Sequence, residues 1–182
     1  MQQPAPPIRV PPVFREQQRF RQWWLWLIVV GPAVLAWWLF IQQVIEGRPL
    51  GQHPAPDWLA WVLWVAIGLG LPFFFSRMSM VVEVFDEEVR IRYRPLARRT
   101  IPLAEIERAE ARTYNAIKDY GGWGIKGWSQ AKMAYNVSGN RGVELTLSGG
   151  RSVMLGSQQA DELAAAIQSR LRPRGRIAKT SG

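Results

Sequence analysis

Two uncharged, apolar stretches, Gln22 to Ile45 and Trp58 to Ser76, constrain this chain more than any other feature. An α-helix rises about 1.5 Å per residue, so about 20 apolar residues cross a hydrocarbon core about 30 Å thick. Each stretch is long enough. Eight of the ten tryptophans lie in them. Trp23, Trp24 and Trp26 open the first stretch, and Trp58, Trp61 and Trp64 open the second. Indole rings favour the bilayer interface, where the ring is half buried and the N–H stays wet. Length and spacing predict a helix over 22–45, an external loop over 46–57 and a second helix over 58–76. Pro32 kinks the first helix mildly, and Gly68 and Gly70 leave a smooth patch for its close approach. The competing reading is a single span plus a buried core helix.

The flanks predict direction. Arg9, Arg15, Arg19 and Arg21 stand against Glu16 before the first stretch, and Arg77 follows the second. The loop between them carries Glu46, Arg48 and Asp57. Positive flanks stay inside, which predicts a cell-membrane protein of two spans with both termini cytoplasmic. A signal peptide fits poorly, because a long Pro-rich tail precedes the stretch and no small-x-small site ends it. Residues 1–21 read as a disordered tail holding Pro4, Pro6, Pro7, Pro11 and Pro12. The last part, Phe14 to Arg21, reads as a short interfacial helix.

Composition narrows the chemistry. The 182 residues include no cysteine and a single histidine, His53. Disulfides and thiolate metal sites are excluded, and a Ser-His-Asp triad or multi-histidine metal site is not expected. No cofactor, metal or catalytic residue is assigned, and the expectation is a non-enzyme.

After Arg77 the pattern alternates with period two. Val82 and Val84, then Val89, Ile91 and Tyr93 against Arg90, Arg92 and Arg94, predict two strands. Further strands are predicted at 99–102, 106–114, 134–137, 143–147 and 152–155, with a hairpin turn at Ser148-Gly149-Gly150. Ser157 is positioned to cap a helix running from Gln159 to about Leu171, and Pro173 ends it. Residues 173–182 form a basic tail.

Antiparallel strands followed by one amphipathic helix predict an α+β membrane protein. In it a two-helix transmembrane hairpin precedes a β domain over 79–172, capped by a C-terminal helix, whose element order resembles a small pleckstrin-homology-like β-barrel. The runs Phe14-Arg15-Glu16-Gln17-Gln18-Arg19-Phe20, Arg108 to Tyr114, Tyr120-Gly121-Gly122-Trp123-Gly124-Ile125, Tyr135 to Val143 and Gly156-Ser157-Gln158 carry a wider likeness. On these residues the chain resembles an uncharacterised bacterial family of two-span membrane proteins with a pleckstrin-homology-like cytosolic domain. The resemblance implies the architecture and no activity.

Gly122 to Gly127 spells G-x-G-x-x-G, but Trp128 to Ser138 lacks the helical period a dinucleotide site needs. The run reads instead as a turn requiring positive φ, or as a partner-binding loop anchored by tryptophan. Tyr120, Trp123, Trp128, Tyr135, Asn140 and Arg141 are the candidate partner-binding residues. Arg90, Arg92, Arg94, Arg98 and Arg99 are the candidate lipid-facing basic set, with a solvated face as the plainer alternative. Positive-inside topology explains the net charge of +9, so nucleic acid is not an expected partner. Asn136-Val137-Ser138 reads as turn chemistry and not as a glycosylation site, and Glu105, Glu107, Glu110 and Asp119 read as surface ion pairing. The expected function is a membrane-tethered interaction module, binding a protein or its own copy on the cytoplasmic face. The alternatives are a module sensing anionic lipid or a head group, and then an uncharacterised membrane enzyme.

Overall fold

The two apolar stretches form two helices, Trp23–Ile45 and Asp57–Arg77, of 23 and 21 residues. Both are long and apolar enough to cross a membrane, and their bounds differ by one residue from the apolar helices expected at 22–45 and 58–76 at three of the four ends. The computed structural model describes residues 11–48, 56–129 and 132–171. The chain divides into two units, one of Arg19–Ser79 and the other of Met1–Gln18 with Met80–Gly182. Residues 1–10 of the tail expected at 1–21, the tail expected at 173–182, and most of the loop expected at 46–57 lie outside the described residues.

Within the helical unit, a missing donor organises the contact. Pro72 has no N–H, so the carbonyl of Gly68, four residues earlier, loses its helical partner. The turn there widens to a π-helix over Trp64–Gly70. The indole N–H of Trp37 donates to that Gly68 carbonyl at 3.3 Å. A Cβ on Gly68 would lie 3.4 Å from the Trp37 ring and 3.2 Å from that of Trp64, so glycine admits the close approach. Phe40 stacks on Trp64 at 4.6 Å and meets Trp61 edge-on at 4.7 Å. Offset and edge-on rings of this kind exceed their area burial by about 1 kcal/mol. Most of the remaining side chains of both helices are apolar and exposed or half-buried. Only 22% of the first apolar window and 11% of the second is buried.

The other unit is α+β. Its strands are β1 (Phe14–Arg19), β2 (Ser79–Val84), β3 (Glu88–Arg94), β4 (Ala97–Pro102), β5 (Ile106–Thr113), β6 (Gly124–Ser129), β7 (Lys132–Asn136), β8 (Arg141–Leu147) and β9 (Arg151–Gly156). The first four form one sheet in chain order, and the second sheet runs β5-β8-β9-β7-β6. The expected closed barrel is therefore absent among the described residues. The chain turns from β4 to β5 through one 3-10 turn at Leu103–Glu105, and no ladder joins the sheets across that edge. β3 alternates as its sequence requires, with Val89, Ile91 and Tyr93 buried between exposed Arg90, half-buried Arg92 and exposed Arg94.

β1 corrects the reading of 1–21 as a tail with an interfacial helix. Phe14–Arg19 is a strand whose buried residues are polar, Glu16 and Gln18. Period-two alternation of polar with polar residues carries no hydrophobic signal, and FREQQR reads equally as an amphipathic helix. Burial is made tolerable by partners. The Glu16 carboxylate accepts from the Ser157 hydroxyl at 2.5 Å and from the Gln158 N–H at 2.9 Å. Gln18 donates to the Gly156 carbonyl at 2.8 Å. Ser157 is therefore engaged by β1 and also accepts from the N–H of Gln159. The C-terminal helix starts after Gln159 and spans Ala160–Gln168, shorter than expected.

In the second sheet β7 runs parallel to β9, with Tyr135 beside Leu155, while β8 is antiparallel to β9. Residues 137–140 therefore pass across the end of β9 on the way from β7 to β8. Two glycines make room. A Cβ on Gly156 would lie 2.8 Å from the Asn136 Cβ, and one on Gly142 only 2.4 Å from the Leu155 carbonyl oxygen.

Candidate functional site

The run from Tyr114 to Trp123 lies on the face of the second sheet that carries Ala134 and Met154, and forms a satellite core there. Tyr114, Ala116, Tyr120, Ala134 and Met154 are buried together, with Trp123 half-buried against them. Local chemistry builds a short helix, Ala116–Tyr120. Asn115 caps it, its side-chain oxygen accepting from the N–H groups of Ile117 and Lys118 at 3.1 and 3.0 Å. Asp119 answers by accepting from the Asn115 N–H at 2.8 Å. Gly121, at φ 76°, ends the helix: its N–H meets the Ile117 carbonyl, and that of Gly122 the Ala116 carbonyl. The glycine run is thus a helix stop leading into a strand, β6. The helix that a dinucleotide fingerprint requires does not follow it.

Beside this helix is an open pocket of about 550 Å³. The end of β5 (Thr113) with Tyr114, the short helix and its cap (Asn115, Ala116, Ile117 and Asp119), Trp123, and the turn residues Gly139 and Asn140 line it. The N–H of Tyr114 donates to the Asn140 carbonyl at 2.8 Å, which fixes the 139–140 turn against the end of β5. Ile117 is 61% exposed, an uncovered aliphatic side chain at the rim.

The six candidate partner-binding residues separate in the structure. Trp123 and Asn140 reach the pocket together. Tyr120 lies beneath it in the satellite core, with the Lys132 ammonium 5.1 Å from its ring. Tyr135 is buried and is approached by Arg99. Arg141 pairs with Asp161 of the C-terminal helix at 3.0 Å. Trp128 lies in β6, and its side chain is outside the described residues. Asn115, Ile117 and Asp119 were not expected at the site. The signal that finds them is Asn115 as a cap with Gly121 as a stop.

The five basic candidates separate as well. Arg90 pairs with Glu88 and lies over the Phe85 ring. Arg92 pairs with Glu83, which also holds Arg15 at 3.4 Å. Arg99 stands opposite Ile91 on the buried face, donating to the Met133 sulfur at 3.2 Å and the Tyr135 hydroxyl at 3.4 Å. Arg94 and Arg98 are exposed and have no ionic partner among the described residues. Asn136, expected as turn chemistry, is instead the last residue of β7, fully buried and accepting from the Gly124 N–H at 2.8 Å.

Burial acts on the tyrosines. It pushes the Tyr120 hydroxyl up to about 12, with a further push from Glu144. Burial also raises Tyr114, and raises Tyr93 further. A folded value above the unfolded one means the native state holds its protons more tightly. This stability is complete below the ordinary tyrosine value of about 10 and is lost as pH rises through the folded values. Three of the four tyrosines should therefore ionise late in a tyrosinate absorbance titration. Denaturant should return them to the ordinary range.

No group of three or more metal-ligating side chains occurs among the described residues. A model of a family of unknown function matches residues 7–172, most of the chain. No curated protein matches it.

Proposed function

The chain belongs to that family of unknown function, DUF6141, and from this premise we propose that it is a non-enzymatic binding module anchored in a membrane. The single observation that carries the binding reading is the pocket on the second sheet. The two loops singled out by their aromatics and glycines, 120–127 and 135–141, each contribute to it, through Trp123 and through Gly139 with Asn140. A mixed lining, an exposed isoleucine and a half-buried tryptophan suit a protein segment, because such anchors dominate protein recognition.

Membrane anchoring is supported by the two apolar helices. Trp23, Leu27, Ile28, Val34 and Trp38 of the first helix and Trp58, Val65 and Phe73 of the second are exposed, so neither helix has a polar face for water. A soluble core helix would be mostly covered. The arginine-rich flanks support cytoplasmic placement of both ends. Pairing of β1, before the first helix, with β2, after the second, supports one side for both. The run of mainly antiparallel strands ending in a helix supports a pleckstrin-homology-like ancestry in an opened form.

The test is capture with a readout at one residue. A photo-crosslinker at Ile117 of the full-length chain, in membranes, should trap a discrete partner. Ile117→Glu should abolish that partner in detergent capture, at a cost in stability within about 0.5 kcal/mol, as for other exposed sites. The same partner retained at the same yield by Ile117→Glu removes the pocket from the function. A crosslink to a second copy makes the partner the chain itself.

A further inference from the structure

The outer face of the first sheet is cationic, but most of its charge is spent internally on Glu83 and Glu88. What remains is concentrated at one place, the turn between β3 and β4. Arg94 and Arg98 flank Pro95, Leu96 and Ala97, and Tyr93 pairs with Ala97 across the ladder. Leu96, at the tip, is 56% exposed. The position of this turn in the sheet follows from strand order. The N–H of Val13 donates to the Val84 carbonyl at 2.9 Å, so β1 runs antiparallel to β2, and Arg19 is at the Ser79 end. β3 returns from the turn at Phe85, so Arg94 comes back to that same end. There the chain passes to Trp23 through three residues and arrives from Arg77 through one. Arg21 lies in the first of those passages, and Arg19 and Arg77 border them.

An aliphatic tip between two unpaired cations matches the chemistry of a bilayer surface, with hydrocarbon below and phosphate above. Attraction to anionic lipid acts within about 10 Å at ordinary salt, a distance that a few residues of linker span. We propose that the β3–β4 turn docks on an anionic membrane leaflet, with Leu96 entering the head-group region and Arg94 and Arg98 meeting lipid phosphates. The inference rests on reading the two apolar helices as spans. It is independent of the pocket.

The chain contains no cysteine, so Leu96→Cys gives a unique site for an environment-sensitive fluorophore. The full-length labelled protein is reconstituted into vesicles of phosphatidylcholine alone, or of equal parts phosphatidylcholine and phosphatidylglycerol. The label should shift to the blue and resist an aqueous quencher in the anionic vesicles only. Adding Arg94→Gln and Arg98→Gln should lower the docked-to-undocked ratio about thirtyfold, at about one kcal/mol for each arginine. A control label at Glu87→Cys, at the opposite end of the sheet, should remain open to quencher. Equal quenching at Leu96 in both vesicles overturns the proposal. So does equal protection in detergent without lipid, which assigns the tip to a protein contact. Flotation separates the premises: a chain that floats with neither vesicle sinks the span reading, whereas one that floats with both and stays quenched sinks only the docking.

Discussion

Gly142→Ala should be among the most damaging single-methyl additions in this chain, costing about 3 kcal/mol, the upper range for overpacking. The new Cβ would lie 2.4 Å from the Leu155 carbonyl oxygen and 3.1 Å from the Gly156 Cα. Both neighbours are backbone in the β8–β9 ladder, where Gly142 pairs with Gly156, so no flexible side chain can give way. For a domain of about 100 residues this corresponds to a loss of about 15 °C in melting temperature. Thermal unfolding followed by near-ultraviolet circular dichroism in detergent measures it. Gly139→Ala is the internal comparison. Its φ of 81° is strained for alanine, but nothing lies within 4 Å, so about 1 kcal/mol is expected. Equal losses at the two sites would mean that backbone conformation, and not contact across the ladder, decides both.

Glu16→Ala should release the N-terminal strand. The residue is 8% exposed, and its carboxylate accepts from a hydroxyl and an N–H about 140 residues away. Hydrogen bonds to a charged group contribute about 1.5 to 3 kcal/mol each, and their loss leaves buried donors unpaired. A total of about 3 kcal/mol is expected. The measurable sign is local. Amide hydrogen exchange should rise across β1 and at Gln158, while β5, β8 and β9 keep their protection. The two bonds fall on different carboxylate oxygens, so Glu16→Gln keeps one acceptor oxygen beside an NH2 that can only donate, and should recover about half. Uniform loss of protection over both sheets would show that β1 is not a separable element.

The same two places show what the sequence discloses. β3 was legible because Val89, Ile91 and Tyr93 alternate with arginines, and burial follows that alternation. The two apolar helices were legible from length alone. β1 was not, because its inward side chains, Glu16 and Gln18, are polar and their partners lie at the far end of the chain. The pocket was half legible. Trp123 and Asn140 stand out by type and by their glycine neighbours, whereas Ile117 is an ordinary residue made prominent by a five-residue helix. Which arginines stay unpaired is likewise a matter of register. Arg92 and Arg98 face each other across the ladder, yet among the described residues only Arg92 of the two finds a carboxylate. The parallel β7–β9 pair follows from a crossing that no local pattern encodes.

β1 is synthesised before everything it binds. Its sheet neighbour β2 begins only after both apolar helices have emerged, and the Ser157 hydroxyl that meets Glu16 is 141 residues downstream. Contacts of such separation form last, because loop closure precedes their reward. With the helices read as spans, the strand waits on one side of the bilayer until the hairpin has turned back to that side. A chain whose second helix failed to return would strand β1 across the membrane from β2, leaving an open sheet edge and a carboxylate without donors. On that reading, only a chain with both helix ends on one side of the bilayer can pair β1 with β2.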